Sequence, residues 1–167
     1  LMHWQTTCQA CGHVSHRWEC FNSLKVSMPD SRKVGLTGPV TLTDLLKEEM
    51  EADETIEGYQ CDKCPERTSA KRFARIWRLP QTLVLVIKRF SHTGQKIHTP
   101  LAPLESGSVV DFAPYFSEAS PERVNPTGIS YEVRSIVDHH GGATGGHYTA
   151  QCRHPGSSVW YLYEIGR

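Results

Sequence analysis

Three features that would place a chain in a broad class at once are missing from this sequence. The 18 basic and 18 acidic side chains cancel, so no general affinity for nucleic acid is expected. No apolar run reaches the roughly 20 residues of a membrane-spanning helix, and the first residues do not match a secretory signal peptide. We therefore expect neither a nucleic-acid partner nor a membrane.

The six cysteines are unevenly distributed. Cys8 and Cys11 form one C-x-x-C pair, and Cys61 and Cys64 form a second. Without a secretory signal, two such pairs indicate a metal site and a reducing compartment, the cytoplasm or nucleus. Four thiolates complete the tetrahedral shell of structural Zn²⁺, so we expect a zinc ribbon. The alternatives are four free thiols, or a shell in which a nearby histidine (His13 or His16) replaces a thiolate.

Hydrophobic patterning predicts an α+β, β-rich fold. Residues 4–28 are predicted to be an extended hairpin arm. Thr41 and Asp44 form a capping-box pattern at the start of a helix. The acidic run 48–57 is predicted to be a solvated face and loop. Helical spacing indicates four inward-facing positions, which are Leu42, Leu45, Leu46 and Met50.

Two strands are predicted to follow the second cysteine pair. One covers residues 70–79. The other is the nearly continuous apolar run 82–87, which is typical of a central strand covered on both faces. The basic residues Lys88 and Arg89 that end it are predicted to be solvated.

The remainder is predicted to be an irregular connection followed by a small sheet. Residues 91–129 are rich in proline, with short strands expected near residues 109–112. Three further strands are predicted, the last pairing with the one before it; they cover residues 131–137, 147–153 and 158–164.

Four glycines lie within six residues between two of these strands, and His147 follows them. A hairpin turn needs only one or two glycines, so the surplus indicates backbone that a ligand chain passes closely. A histidine at this strand end is placed for proton transfer. The alternative is a surface hairpin with an incidental histidine. The glycines are Gly141, Gly142, Gly145 and Gly146.

Taken in order, these segments resemble the ubiquitin-specific proteases. The specific matches are the C-x-x-C knuckles, "LPQTLVLVIKRF" at residues 79–90, "GGHYTA" at 145–150 and Trp160-Tyr161. The resemblance covers nearly the whole chain except residues 91–129. It implies a papain-like cysteine protease palm with an antiparallel sheet (68–167), zinc-ribbon fingers (1–67), and no thumb.

The resemblance also implies an activity, namely thiol-dependent hydrolysis of the isopeptide or peptide bond after the last glycine of ubiquitin. Ubiquitin or a ubiquitin-conjugated protein would be the partner. His147 would be the general base, and the four glycines would form a loop over the ubiquitin tail. The third triad position falls on Glu164, where the family has Asn or Asp, and Ile165 stands where another acidic residue is usual.

The family's catalytic cysteine lies before the first knuckle, so we expect the nucleophile upstream of this chain, whose ends suggest a piece of a larger domain. Cys20 lies in a Cys-aromatic-Asn-Ser-Leu segment that resembles the family's cysteine box, but it lacks the preceding asparagines that supply oxyanion donors. Cys152 lies five residues after His147 and is expected on the opposite face of the strand.

Three functions remain open. The first is a fragment of a deubiquitinase. The second is a ubiquitin-binding module without activity. The third, more remote, is a zinc-ribbon nucleic-acid binder, against which the zero net charge argues.

Overall fold

The computed structural model describes residues 1–30, 38–104, 108–123 and 129–165, with the side chain of Ile165 left aside. Strands predominate in this part of the chain. They are β1 (Met2–Cys8), β2 (Val14–Glu19), β3 (Leu24–Ser27), β4 (Glu54–Tyr59), β5 (Thr68–Ile76), β6 (Leu85–Lys88), β7 (Val109–Asp111), β8 (Ser130–Glu132), β9 (Ser135–Gly142), β10 (Gly145–Arg153) and β11 (Trp160–Ile165). They are accompanied by helix α1 (Leu42–Glu51) and a short 3₁₀ helix (Ala113–Tyr115).

The largest sheet is antiparallel, with strand order β2-β1-β5-β4. Met2 pairs with Ile76 at one end of the β1–β5 ladder, and Cys8 pairs with Ala70 at the other. This register brings the two C-x-x-C segments to the same end of the sheet. Strands from both sides of the expected boundary at residue 67 share the sheet, and the division into fingers and palm stays a prediction.

Helix α1 begins as its sequence predicts. The Thr41 hydroxyl accepts from the Asp44 amide at 3.1 Å, while the Asp44 carboxylate accepts from the Thr41 amide at 2.9 Å. The Thr41 hydroxyl also donates to the Asp44 carboxylate at 2.6 Å. This bond, followed by the one from the Thr41 amide, stabilises the ionised carboxylate and holds the pKa of Asp44 below its ordinary value. All four predicted inward positions are buried, and they are Leu42, Leu45, Leu46 and Met50.

The core lies between α1, the largest sheet and the parallel pair β3–β6. Leu46, Val26 and Ile76 are fully buried there, and Phe112 closes it from the segment after β7. No strand of the β9–β11 sheet contributes a side chain to this cluster among the described residues. That sheet therefore lies outside the main core.

Two predictions for the first half need correction. The extended arm is interrupted after Glu19, since residues 20–23 bend and β3 pairs in parallel with β6 instead. The acidic run is not a loop throughout, because β4 forms an edge strand on β5. Charged side chains suit an exposed edge, and Glu54 is paired with Arg72 at 2.6 Å.

The prediction for the apolar run 82–87 is also wrong. The strand is shorter, Leu85–Lys88, and among the described strands it pairs with β3 alone. Val84 and Val86 are 53% and 39% exposed, so the run is not covered on both faces. Of the basic pair predicted to be solvated, Lys88 is exposed, whereas Arg89 is half-buried and its guanidinium donates to the carbonyls of Ile97 and Thr99.

The second half contains the predicted small sheet, with strand order β11-β10-β9 and antiparallel pairing throughout. The pairing of the last strand is confirmed, as is a short strand at Val109–Asp111. The predicted strand 131–137 is two strands, because Val133 and Arg134 leave the ladder to bond Ser108 and Arg153. No described helix has the length and apolar character needed to span a membrane.

Candidate functional site

The four glycines lie in a tight hairpin at the junction of β9 and β10. Gly142 pairs with Gly145 and Gly141 with Gly146, so only Ala143 and Thr144 lie in the turn. Gly141 has φ +129°, and a Cβ there would lie 2.6 Å from the Gly145 carbonyl oxygen. A Cβ on Gly146 would overlap the ring of His139 and the carbonyl oxygen of His140. Close backbone and ring contact therefore requires glycine at these two positions.

A cleft of about 450 Å³ lies beside this hairpin. Its walls are Phe90, His139, Tyr148 and the backbone of residues 142–146. The His139 ring lies 4.7 Å from the Tyr148 ring and 5.9 Å from the Phe90 ring, centroid to centroid. The Lys96 ammonium donates to the His139 carbonyl and fixes this strand edge. The cleft combines aromatic walls with a glycine-rich floor.

Sequence reasoning did not single out these three aromatic residues. His139 and Tyr148 are direct cross-strand partners, which period-two alternation on the two strands could have revealed. Phe90 comes from a distant segment, so local pattern held no signal for its position.

His147 lies on the other face of β10. Side chains of directly opposite residues share a face, and His147 is opposite His140, while Thr149 is opposite both Asp138 and Glu164. We call these five residues the polar face. His147 is half-buried, whereas His140, Asp138 and Glu164 are exposed.

Sheet twist decides which diagonal neighbours on the polar face come close. The Nε2 of His140 is 3.1 Å from the Thr149 hydroxyl, so the diagonal between these two residues is the short one on the β9 side. On the β11 side, His147 and Glu164 are diagonal neighbours on this face, since Glu164 is opposite Thr149. Within the described residues, no hydrogen bond or ion pair joins the side chains of His147 and Glu164.

The structure places no cysteine of the described sheet on the polar face. Cys152 is opposite Ser135 on the other face, as its spacing from His147 predicts, and is half-buried. Cys20 is exposed just after β2 and lines a separate cleft with Trp4 and Phe21. Neither thiol is presented to His147 by the sheet.

The four cysteines of the two C-x-x-C segments lie together, as predicted. Their sulfur atoms all lie within 4.8 Å of one another. The Sγ atoms of Cys8 and Cys64 are 3.8 Å apart, and those of Cys11 and Cys61 are 3.7 Å apart. Tetrahedral Zn²⁺ with bonds of about 2.3 Å separates its sulfurs by roughly 3.8 Å. The cluster could hold a metal ion, and its dimensions fit zinc.

Hydrogen bonding and burial shift the pKa values of Cys8 and Cys64 in opposite directions. The backbone amide of Cys11 donates to the Cys8 sulfur and lowers the pKa of Cys8 to about 6. The neighbouring Cys11 thiol, followed by burial, raises the pKa of Cys64 to about 12. The Cys8 sulfur is therefore ready to bind a cation at neutral pH, whereas metal binding must displace the proton of Cys64.

Comparison with known proteins identifies related sequences. The signature of the family described as "Ubiquitin carboxyl-terminal hydrolase" matches residues 2–164. Ubiquitin carboxyl-terminal hydrolase 44-A of Xenopus laevis is 31% identical over 165 residues, covering 93% of this chain and 23% of the relative. Ubiquitin carboxyl-terminal hydrolase 21 of Bos taurus is 31% identical over 169 residues, covering 96% of this chain and 27% of the relative. The chain thus spans about a quarter of these relatives.

Solved structures show the same fold. A SAGA Ubp8/Sgf11/Sus1/Sgf73 DUB module bound to ubiquitin aldehyde has a TM-score of 0.70 at 21% identity, over 99% of this chain and 37% of that one. A SAGA DUB module bound to monoubiquitin has a TM-score of 0.73 at 24% identity, over 99% and 36% of the two chains. With the match over residues 2–164, the chain belongs to the ubiquitin carboxyl-terminal hydrolase family.

Proposed function

We propose that this chain is the ubiquitin-binding and proton-transfer part of a cysteine-type deubiquitinase that hydrolyses the bond after the last glycine of ubiquitin. One observation carries the proposal. Strand β10 presents His147 on one face and, through Tyr148, an aromatic cleft on the other. Family membership gives the reaction class, a thiol-dependent hydrolysis. The nucleophilic cysteine is expected upstream of Leu1.

His147 is the proposed general base. A half-buried imidazole at the start of β10 can take the thiol proton and, as a cation, stabilise the thiolate that attacks the carbonyl carbon. Glu164 is the proposed orienting residue. Their diagonal positions on one face of the sheet support this role, and the additional methylene of glutamate extends its reach across the two strands.

The cleft beside the glycine hairpin is the proposed path of the ubiquitin tail. The end of the tail must then pass around the tip of the hairpin to reach His147, because the cleft and His147 lie on opposite faces of β10. That tail ends in two glycines, which have no side chains to collide with the floor at residues 142–146. Phe90, His139 and Tyr148 provide flat walls against which an extended backbone can lie. A narrow, glycine-lined path favours glycine over larger residues at the scissile end.

The four cysteines are the proposed ligands of a structural Zn²⁺. The sulfur separations support this, since they fit a zinc tetrahedron and are far longer than the roughly 2.05 Å of a disulfide. A closed shell of four thiolates leaves no position for a substrate, so the role of the ion would be structural. It would tie β1 to the segment before β5. Reduced thiols of this kind support a cytoplasmic or nuclear location.

The test uses the full-length protein that carries this chain and a fluorogenic ubiquitin substrate. We expect His147→Ala to abolish hydrolysis while ubiquitin affinity, measured by calorimetry, and zinc content are retained. His92→Ala, at an exposed histidine outside the site, is the matched control and should be fully active. Full activity of His147→Ala would exclude this residue as the base.

A second candidate function is a ubiquitin-binding module without hydrolytic activity. It is favoured by the lack of a cysteine on the polar face in the described sheet and by glutamate at the third triad position. It predicts ubiquitin binding by the full-length wild-type protein with no turnover of the fluorogenic substrate. Measurable turnover that depends on His147 would exclude it.

A further inference from the structure

The turn from Phe90 to Lys96 lies beside the glycine hairpin and supplies one wall of the cleft; we call it the lysine turn. Its two end residues form an antiparallel bridge. At its tip, a Cβ on Gly94 would lie 3.8 Å from the Cβ of Ala143, an ordinary van der Waals distance. The rings of Phe90 and His139 both line the cleft, with their centroids 5.9 Å apart. The width of the cleft therefore depends on how the lysine turn is held against β9.

Lys96 joins the lysine turn to β9 through a charged hydrogen bond. Its ammonium donates to the His139 carbonyl and lies 3.5 Å from Nδ1 of the same residue. Within the described part of the chain, no other side-chain hydrogen bond connects the lysine turn to the glycine hairpin. A hydrogen bond from a charged donor is roughly twice as strong as one between neutral groups. Lys96 is half-buried and does not itself line the cleft, so it acts on a ligand through the walls that it holds.

We propose that Lys96 is a positioning residue for the ubiquitin tail, because it holds the Phe90 wall at a fixed distance from His139. Without the ammonium, only apolar contacts would hold the lysine turn to β9 among the described residues. The turn would then be free to move, and binding of the tail would have to order it again at a cost in affinity. This inference rests on the proposed function, since it concerns the path assigned there to the tail.

The contact also specifies the tautomer of His139. A lysine ammonium carries donors only, so Nδ1 must present its lone pair and the ring hydrogen is on Nε2. In protein with ¹⁵N-labelled histidine at pH 8, the ring shifts should show this single tautomer in the wild type and a mixture in Lys96→Met. A hydrogen on Nδ1 of His139 in the wild type overturns the proposal.

The kinetic test compares Lys96→Met, which keeps the length of the side chain but removes its donors, with the wild-type full-length protein. KM for a fluorogenic ubiquitin substrate should rise about fivefold to tenfold, the size expected for the loss of one hydrogen bond. The residues His139 and His147 lie on opposite faces of the sheet. Because the lost interaction concerns binding alone, kcat should stay within about twofold. Lys96→Arg retains donors and should keep the wild-type KM. Lys47→Met, at an exposed position of α1, is the matched control for the lost charge and should behave as wild type.

Substrate selectivity separates positioning from a purely structural role. A cleft with a movable wall admits a larger side chain. The preference for natural ubiquitin over a variant with alanine at the first of its two terminal glycines should therefore fall in Lys96→Met. A general loss of stability would slow both substrates equally and leave their ratio unchanged. An unchanged ratio, or a decrease in kcat without a change in KM, overturns the proposal.

Calorimetry distinguishes a failure of this inference from a failure of the proposed function. The full-length wild-type protein should bind intact ubiquitin more tightly than ubiquitin without its two terminal glycines, and Lys96→Met should reduce that difference. Equal affinities in the wild type would overturn the tail path, and this inference with it. A difference that persists unchanged in Lys96→Met would overturn this inference alone.

Discussion

Gly146→Ala is expected to damage the hairpin, because the space for a Cβ is already filled. The added methyl would overlap the His139 ring and the His140 carbonyl oxygen. The ring could rotate, but it also forms a wall of the cleft beside Tyr148. The carbonyl belongs to the backbone of β9, so the two strands must separate locally.

Overpacking of this kind costs about 1–3 kcal/mol. For a unit of 150–250 residues, each kcal/mol shifts Tm by roughly 2–4 °C, so a decrease of about 2–12 °C is expected. The displaced His139 ring should also narrow the cleft, so KM for a fluorogenic ubiquitin substrate should rise.

Gly145→Ala provides the matched control one residue earlier. A Cβ there meets nothing within 4 Å, and its backbone does not require glycine. Alanine at a compatible position stabilises by about 0.4–1 kcal/mol through the unfolded state. Thermal unfolding and steady-state kinetics on both variants measure the difference. Equal Tm and KM values for the two variants would refute the claim that contact with the His139 ring and the His140 carbonyl requires glycine at position 146.

Two further outcomes concern the largest sheet. Removal of zinc by a chelator, or the substitution Cys61→Ser, should unfold the β1–β2 hairpin and lower the affinity for ubiquitin. A circular dichroism spectrum that does not change when the metal is removed would exclude a structural ion. Burial, aided by the neighbouring His16, lowers the pKa of His3. The free energy of unfolding that His3 contributes is therefore fully present above the ordinary histidine pKa near 6.5. It decreases as the pH falls below that value, by at most about 1.4 kcal/mol per pH unit. Urea unfolding at pH 7.5 and 5.5 should show a smaller loss for His3→Gln than for wild type; equal losses would contradict this.

Local signals were sufficient where neighbouring residues determine the structure. The capping box at Thr41 and the apolar spacing after it predicted α1 because a helix is determined within its own few turns. The paired cysteines predicted their own clustering, since a metal site needs its ligands together in space. The aromatic-rich last segment was predicted to pair with the strand that begins at His147, and this pairing is confirmed.

The wrong predictions concern features that depend on residues distant in the sequence. The run that contains Val84 and Val86 was predicted to be a central strand, because hydrophobicity does not reveal which faces of a strand are covered by neighbouring elements. The acidic segment at β4 read as a loop because edge strands tolerate charge, and only its ladder with β5 reveals it. The aromatic cleft needed Phe90 beside His139, two residues that lie 49 positions apart in the sequence. Propensity along the chain carries no information about such contacts.

The cysteine cluster has a consequence for chain topology. Cys11 and Cys61 are 50 positions apart, so joining them through a metal closes a ring that contains β2, β3, α1 and β4. The entropy of closing such a ring grows only with the logarithm of its length, by about 0.6 kcal/mol for each doubling. Once the ring is closed, lengthening or shortening its outer turns changes stability little. The segment between the two C-x-x-C knuckles can therefore vary in length during evolution, while the polar face of the β9–β11 sheet and the cleft on its other face stay in place.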